Sequence, residues 1–475
     1  MIMEKELLAE YPAEVPVDPR EVAASVAATG RVLVVLDDDP TGTQSVSDLP
    51  VLTRWDVEDF AWALGTGAPA VYVLTNTRSL DPAEAQARNR EAVDHALTAA
   101  REAGVPLGFV SRSDSTLRGH FPLEPDAIAA TLAERTGEPT DGVVVVPAFP
   151  EAGRITVGGV HYTRDGQGGL VPVAETEFAR DATFHYSSSH LARYVEEKSG
   201  GRWPAEDVIV LDLHAVRGGA AGIADLLEPA AGSTPVVVDV VTENDLRALA
   251  LGLAEAERRG KKLLYRVGPP FVRARIGQEQ RAPLTGDEVP AGGTGPVGGL
   301  VVVGSHVGVT TRQLKALTDR HSHATTVELP VEAVLDPDRA EAQLTETVGA
   351  VVAALAEGDV VLHTSRLLVR SEDPSESLRI ARTVSAAVVA VVNRTLRTAP
   401  PRFVVAKGGI TSSDVAAHGL EIRHAMVRGP MLPGIVSLWE PVDGPARGIP
   451  YVVFAGNVGD DGSLAEVVRK LSTTF

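Results

Sequence analysis

Three consecutive aspartates, residues 37–39, follow directly after the apolar run of residues 32–36. The apolar run is typical of a buried strand in a parallel sheet, and Pro40 and Gly42 predict a turn after it. Ligands of open α/β sheets bind outside the carboxyl ends of the strands. Carboxylates this close together need a cation, a shared proton or a hydrogen-bonding ligand. We therefore expect a ligand site here, and the alternative is a solvated acidic turn.

Arginines and small polar residues follow two more predicted strands. Residues 70–75 predict a strand that leads to Arg78, and residues 108–110 predict the end of a strand that leads into a polar stretch. The candidate residues of that stretch are Arg112, Ser113, Asp114, Ser115 and Arg118. A guanidinium can donate two parallel hydrogen bonds to a carboxylate or a phosphate. Because the strand ends meet at one sheet edge, we predict one convergent site.

The aspartates of this cluster suit phosphoryl transfer to a sugar hydroxyl. Asp38 and Asp39 can accept hydrogen bonds from hydroxyls, and either could be the general base toward a hydroxyl that attacks phosphorus. Asp114 could hold a hydroxyl or Mg²⁺. For each residue taken singly, the alternative is a cap or an ion pair that holds the turns. Which aspartate is the base, and which one binds metal, stays open.

Glycine-bearing turns follow predicted strands in the second half of the chain. Lys407, Gly408, Gly409 and Ile410 come after a strand and open a helix, where backbone N–H groups and the helix dipole can hold a phosphate. No Gly-x-x-x-x-Gly-Lys-Ser/Thr sequence occurs, and close packing is the alternative for each glycine. Equivalent turns contain Gly304 with Ser305 and Gly456 with Asn457. Three such turns on one edge favour a nucleotide site.

The elements that position these residues alternate between strand and helix. That order predicts an α/β fold with two domains, each built on a mainly parallel β-sheet flanked by helices. A length of 475 residues also favours two domains. We place the first domain at residues 1–282, including a leader at 1–29, a Gly- and Pro-rich linker at 283–299, and the second domain at 300–475. Residues 153–173 predict a hairpin excursion.

Composition excludes several classes of protein. The net charge of −19 provides no basic stripe for a nucleic-acid partner. No apolar run reaches the length of about 18 residues that a membrane span requires, and the first 11 residues do not form a secretory signal. The absence of cysteine excludes disulfides and thiolate chemistry, and it is consistent with a cytoplasmic protein. Whether the chain forms a homo-oligomer stays open.

These motifs, in this order, resemble the four-carbon acid sugar kinase family. The family's Asp-Asp-x-Thr-Gly turn is similar to residues 38–42, and its Asp-Ser-Thr-Leu-Arg-Gly string is present at residues 114–119. The resemblance runs from about residue 31 to the end of the chain. Its further matches are residues 266–275, 304–306, 408–412, 433–434 and 456–459.

The resemblance implies a two-domain kinase with its active site in the cleft between the domains. The first domain would hold a sugar acid such as threonate, erythronate or 3-oxo-tetronate. The second would hold ATP with Mg²⁺, and the phosphate would pass to the terminal hydroxyl. Substrate contacts would come from Asp39, Arg78 and residues 112–115, and ATP contacts from Ser305, residues 407–410 and Gly456.

Two departures from the family pattern bear on the substrate. Arg112 stands where the family usually has Lys, and Pro40 and Thr43 change the first turn. Arginine and lysine differ in geometry at a site that binds an anion, so the identity and stereochemistry of the sugar acid stay open. The alternatives are an NAD-dependent dehydrogenase, weakened because no Gly-x-Gly-x-x-Gly follows the first strand, and a non-catalytic two-lobed sensor of a sugar acid.

Overall fold

The computed structural model describes residues 2–290, 292, 298–304, 307–365, 374–456 and 458–475. The chain divides into two compact units. Unit 1 contains Met1–Leu49 and Trp55–Gln280, and unit 2 contains Pro50–Arg54 and Arg281–Phe475. Of the predicted linker, residues 291 and 293–297 lie outside the described residues. Among the helices that the structure describes, none has the length and apolar character needed to cross a membrane.

The strands of the described chain are, in order, β1 (Ile2–Met3), β2 (Val32–Asp37), β3 (Leu49–Leu52), β4 (Ala70–Leu74), β5 (Leu107–Arg112), β6 (Gly142–Val146), β7 (Arg154–Val157), β8 (Val160–Arg164), β9 (Gly169–Pro172), β10 (Ile209–Leu211), β11 (Thr234–Val238), β12 (Leu263–Val267), β13 (Leu300–Val303), β14 (Thr325–Leu329), β15 (Val360–Thr364), β16 (Val404–Lys407), β17 (His424–Leu432), β18 (Ile435–Pro441) and β19 (Tyr451–Phe454).

The helices are α1 (Glu4–Leu8), α2 (Pro19–Thr29), α3 (Val57–Gly65), α4 (Pro82–Ala103), α5 (Leu123–Thr136), α6 (Leu191–Lys198), α7 (Leu213–Arg217), α8 (Ala220–Leu227), α9 (Glu243–Arg258), α10 (Pro270–Arg275), α11 (Gly308–Arg320), α12 (Val331–Leu335), α13 (Ala340–Leu355), α14 (Pro374–Thr398), α15 (Gly409–Asp414) and α16 (Ser463–Leu471). Short 3-10 turns lie between several of them, and a π-helical turn, Val415–Gly419, continues α15.

Unit 1 is built on a parallel sheet with the strand order β10–β11–β6–β12–β5–β2–β4. The central strands are buried from end to end, β4 and β6 at every residue, as expected for strands that helices cover on both faces. Asp81 is the N-cap of α4: its side chain accepts from the Glu84 N–H at 2.9 Å, and Pro82 occupies the first turn.

The predicted excursion at residues 153–173 is confirmed as antiparallel strands. Strands β7, β8 and β9 pair in order, and β1 adds to β9 at the other edge. The leader is therefore part of this small sheet. Asp239, which follows β11, accepts N–H groups of Gly158 and Gly159 at 2.6 and 2.8 Å. Burial raises the pKa of Asp239 to about 6, against the effect of these two amides.

Unit 2 has a mixed sheet with the strand order β3–β17–β18–β19–β16–β13–β15–β14. The five strands from β19 to β14 are parallel, and β17, β18 and β19 pair antiparallel. The sheet face packs on a core that includes Phe403, Leu438, Phe454 and Leu464. The α/β class and the mainly parallel sheets agree with the prediction, but the β17–β18 hairpin was not predicted.

The missed hairpin has a physical reason. Strand β17 contains Gly429 and Pro430, and its pairing register with β18 shifts between Val427 and Gly429. This irregularity breaks the alternation of apolar and polar residues along the strand. The pattern rules for strands depend on that alternation. The turn of the hairpin, Pro433 and Gly434, is visible in the sequence only as a local turn signal.

Candidate active site

The acidic turn and the predicted arginines lie at one edge of the unit 1 sheet. Strands β12, β5, β2 and β4 are neighbours in that order and run parallel. Their carboxyl ends therefore place Arg266, Arg112, Asp37 and the segment that carries Arg78 side by side. This adjacency brings the first predicted cluster together within one unit.

A buried ion pair between Asp37 and Arg112 forms the centre of the cluster. Each side chain is only 2% exposed. Nε and Nη2 of Arg112 both contact the Asp37 carboxylate, and Nη2 also donates to the backbone carbonyl of Asp39. Nη1 donates to the Ser113 carbonyl at 3.3 Å. Burial raises the pKa of Asp37 to about 7, with Arg112 opposing it and the charges of Asp38 and Asp39 adding to it.

The role predicted for Arg112, contact with the substrate, stays a prediction. In this structure its guanidinium donates to one carboxylate and two backbone carbonyls, which fixes the course of the chain after β2. Gly42 lies directly against the pair: a Cβ added at this glycine would stand 2.0 Å from Oδ2 of Asp37 and 2.5 Å from Nε of Arg112. A side chain at position 42 is therefore incompatible with the pair as it stands.

Asp38 is held by Arg78 and Ser113. Arg78 donates to Asp38 through Nη2 at 2.6 Å and through Nε at 3.3 Å. The hydroxyl of Ser113 lies 2.9 Å from Oδ2 of Asp38. The Asp38 side chain is 1% exposed and that of Arg78 is 20% exposed. Asp38 is thus enclosed, whereas part of the Arg78 guanidinium remains accessible.

Asp39 is the accessible carboxylate of the triplet, with its side chain 22% exposed. It accepts from the N–H and the hydroxyl of Thr41 at 3.0 and 2.5 Å, and from Nη1 of Arg78 at 3.4 Å. Burial favours the neutral acid, but the charges of Arg78 and Arg112 outweigh it and lower the pKa of Asp39. Asp39 is therefore ionised at neutral pH and can accept a hydrogen bond from a hydroxyl.

Asp114 and Arg118 form a second ion pair beside the first cluster. Nε of Arg118 lies 2.7 Å from the Asp114 carboxylate, to which the Thr116 hydroxyl also donates. Burial opposes ionisation of Asp114, but the charges of Arg78 and Arg118 lower its pKa to about 2. Ser113, the residue before Asp114, donates to Asp38 at 2.9 Å, so the two clusters belong to one polar site.

The loop that carries Asp114 is fastened through its backbone carbonyls. Nε2 of His161, on β8, donates to the Ser115 carbonyl at 2.8 Å, and its Nδ1 is paired with the Thr156 hydroxyl at 2.9 Å. Burial lowers the pKa of His161 to about 4, so the ring is neutral. Tyr186 donates to the Thr116 carbonyl at 2.8 Å. The antiparallel excursion therefore positions the predicted residues 113–118.

Two residues of this edge were missed from the sequence. Arg266, on β12, pairs with Glu124 at 2.7 Å and with the Ser111 hydroxyl at 2.8 Å. Glu124 also accepts from Thr77 and from Asn89. Arg266 lies in a segment that matched the family pattern, which was the available signal. Glu124 lies on α5 among ordinary helical residues, and nothing in the sequence distinguishes it.

The glycine turns of unit 2 also meet at one edge. Strands β19, β16 and β13 are parallel neighbours, so the turns at Gly456, Gly408 and Gly304 follow adjacent strand ends. The Gly408 N–H donates to the Phe454 carbonyl at 2.8 Å, and the Gly304 N–H to the Lys407 carbonyl at 3.2 Å. Ile410, at the start of α15, is 61% exposed. Ser305, His306 and Asn457 lie outside the described residues.

Lys407 is buried at the end of β16. Its Nζ donates to the Ala455 carbonyl at 2.6 Å and lies 3.9 Å from the centre of the Phe454 ring. Burial lowers the pKa of Lys407 to about 7. The ammonium group thus contacts the turn that leads to Gly456 through the Ala455 carbonyl, and it can gain or lose a proton near neutral pH.

The turn at Gly456 is held by α11. The Thr310 hydroxyl donates to the Gly456 carbonyl at 2.8 Å. Nε2 of Gln313 donates to the carbonyls of Val458 and Asp460 at 3.0 and 2.7 Å. Both side chains are fully buried. These three hydrogen bonds hold the backbone of residues 456, 458 and 460 against α11.

Within the described residues, no group of three or more His, Asp or Glu side chains is arranged to hold a metal ion. Mg²⁺ commonly binds one or two carboxylates together with the phosphates of a nucleotide. Asp39, the partly exposed carboxylate of the triplet, could serve as such a ligand.

Two family models match this chain. The sugar-binding N-terminal domain matches residues 33–275, and the nucleotide-binding C-terminal domain matches residues 300–464. Together with the acidic turn and the glycine turns, these matches show that the chain belongs to the four-carbon acid sugar kinase family.

Named relatives agree with this assignment. The chain is 29% identical over 338 residues to a D-erythronate kinase of Heliobacterium modesticaldum, covering 69% of this chain and 70% of that one. It is also 29% identical over 412 residues to a D-threonate kinase of Bordetella bronchiseptica, covering 85% and 86%.

Crystal structures of two bacterial proteins share the fold. A Salmonella typhimurium LT2 protein has a TM-score of 0.68 at 18% identity, over 93% of this chain and all of that chain. A Haemophilus influenzae protein has a TM-score of 0.61 at 18% identity, over 92% and 99%.

Gly42→Ala is expected to disrupt the Asp37–Arg112 pair, because the new methyl group occupies the space of the two side chains. Overpacking of this kind costs about 1–3 kcal/mol, and urea denaturation would measure it. The matched control is Gly65→Ala at the end of α3, where an added Cβ meets nothing within 4 Å. A Gly42 variant as stable as the Gly65 variant would contradict the tight packing described here.

Lys407→Met is expected to change how stability depends on pH. The folded pKa of about 7 lies below the unfolded value of about 10.4. Between pH values equal to these two pKa values, the unfolded chain binds more protons than the folded chain. The free energy of unfolding of the wild type therefore rises, relative to that of the variant, by about 1.4 kcal/mol per pH unit. Urea denaturation at a series of pH values would measure it. Lys315→Met, at a side chain 74% exposed, is the control, and parallel profiles for wild type and Lys407→Met would refute the shift.

Proposed function

We propose that this protein is an ATP-dependent kinase that phosphorylates the terminal hydroxyl of a four-carbon sugar acid of the threonate, erythronate or 3-oxo-tetronate type. The observation that carries the proposal is the ionised, partly exposed Asp39, fixed by Thr41 beside the accessible guanidinium of Arg78. Such a pair can orient a hydroxyl and neutralise an anion next to it. Membership of the family, and the two named relatives, support the same reaction.

The proposed step is a direct transfer. The substrate oxygen forms a bond to the γ-phosphorus of ATP, the bond from that phosphorus to the β–γ bridging oxygen breaks, and ADP leaves. The hydroxyl proton passes to Asp39. Asp38 and Arg112 do not touch the substrate in this scheme: they hold Arg78 and the turn in place.

In unit 2, the turns at Gly408 and Gly456 are the proposed phosphate site. Backbone N–H groups at the first turn of α15 lack partners within the helix, as at every helix start, and can donate to phosphate oxygens. Lys407 would support the second turn through Ala455. Mg²⁺ would enter with ATP and would supply neutralisation of the phosphate charge.

Phosphoryl transfer requires that the sugar acid and the γ-phosphate be brought together. That the site lies between the two domains stays a prediction. The same holds for a cytoplasmic location and for a homo-oligomer. No feature of the described residues favours the dehydrogenase alternative. The sensor alternative would bind a sugar acid without turnover.

An assay of ADP release with Mg²⁺, ATP and a panel of four- and five-carbon sugar acids would test the proposal. We expect one four-carbon acid to stimulate ADP release and to gain a phosphate by mass spectrometry. Binding of an acid without any turnover would favour the sensor. Absence of ATP binding by calorimetry would refute the kinase.

Asp39→Asn is expected to lower kcat by about 10²–10⁴-fold, the range for loss of a general base, with little change in the KM for ATP. Asp38→Asn should instead raise the KM for the sugar acid, because Arg78 loses its main partner. Asp225→Asn, at a side chain 71% exposed, is the control. Unaltered turnover in Asp39→Asn would remove this residue from the mechanism.

A further inference from the structure

A second guanidinium near Asp114 has no role in the site as described so far. Arg154 is the first residue of β7, and it is half-buried. Its Nη1 donates to the Ala152 carbonyl at 2.6 Å. Its Nε is buried and has no hydrogen-bond partner among the residues that the structure describes. Among the residues that the structure describes, no carboxylate oxygen lies close enough to Arg154 to form an ion pair, which requires a distance of at most 4.0 Å.

This arrangement is unfavourable without a ligand. A buried donor that makes no hydrogen bond carries its full desolvation cost. Burial lowers the pKa of Arg154, the charge of Arg118 lowers it further, and Asp114 compensates only in part. The guanidinium therefore provides a positive charge and an unused donor to whatever binds beside it.

Arg118 differs from Arg154 in being matched by carboxylates. It pairs with Asp114 at 2.7 Å and lies 3.8 Å from Asp181. Both guanidinium groups stand over the ring of Phe178, at 5.3 Å for Arg118 and 5.8 Å for Arg154. At these distances the ring attracts both cations and holds two like charges near one another. Arg118 is thus ion-paired, whereas Arg154 forms no ion pair with the residues that the structure describes.

We propose that Arg154 binds the carboxylate of the sugar acid, with Phe178 and Arg118 fixing its position. The inference rests on the proposed function and deepens it, because it names the residue that selects acids over neutral polyols. A guanidinium can donate to both oxygens of a carboxylate, and Nη1 is the one nitrogen of the Arg154 side chain with a hydrogen bond among the described residues. Arg118, which shares the Phe178 ring with Arg154, pairs with Asp114, and Ser113, next to Asp114 in the chain, donates to Asp38. In this proposal one end of the acid lies at Arg154 and the hydroxyl end at Asp39.

The test compares Arg154→Met with Arg180→Met, an exposed arginine in the same 3-10 turn as Phe178. For Arg154→Met we expect kcat/KM for the preferred acid to fall about 10–100-fold, the effect of a lost charged hydrogen bond, with the KM for ATP unchanged. Activity on erythritol, which has no carboxylate, should not fall. Arg154→Lys should recover part of the loss. Arg180→Met should resemble wild type.

Thermal unfolding without ligand separates binding from structure. We expect Arg154→Met to keep or raise Tm, because an incompletely paired buried cation is removed, whereas a structural role would lower it. A lower Tm with an unchanged preference for acid over erythritol would overturn the inference. A second result would also overturn the inference: an intact preference for acid over erythritol together with a changed KM for ATP or changed inhibition by inorganic phosphate. Arg154 would then bind a phosphate.

The outcomes distinguish this inference from the proposed function. If wild type phosphorylates the acid and Arg154→Met retains the preference for acid, the inference fails and the kinase stands. If wild type binds D-erythronate by calorimetry without turnover, and Arg154→Met loses that binding, the kinase fails and the inference stands. Wild-type protein that neither binds nor phosphorylates D-erythronate or D-threonate overturns both.

Discussion

The buried ion pair between Asp37 and Arg112 is the constraint on which the unit 1 site depends. Burying two charges is costly unless geometry and further hydrogen bonds compensate, and here Arg112 also donates to two backbone carbonyls. The pair therefore sets the path of the chain after β2. With that path set, Asp38 turns toward Arg78 and Ser113, and Asp39 remains accessible. The arginine at position 112 provides the planar group with several donors that this arrangement uses.

Much of this fold could be predicted because its signals are local. The apolar runs at residues 32–36 and 70–75 predicted β2 and β4 to within one residue of their observed ends. The β17–β18 hairpin was missed since its strands lack clear alternation. The site could be predicted as a set of strand ends, but not as a set of partners: Glu124 contacts it from a helix whose sequence is ordinary. Burial and pairing depend on residues distant in the chain, which periodicity does not reveal.

The two units use different means to prepare for anions. Unit 1 places side-chain cations against carboxylates, so its charges are largely matched before a ligand arrives. Unit 2 relies on backbone turns, held from below by Thr310 and Gln313, and on a single buried lysine whose pKa is near neutral.

The short segment Pro50–Arg54 has a consequence for how this protein can be divided. It belongs to unit 2, where Thr53 donates from its N–H and its hydroxyl to the carbonyls of Arg423 and Ile422. Expressing the second half of the gene alone would omit β3 and leave one side of β17 without its neighbour. Uncovered strand edges invite pairing with another chain. The two halves are therefore not separable modules, and recombination at the apparent boundary would need to carry this early segment with the later half.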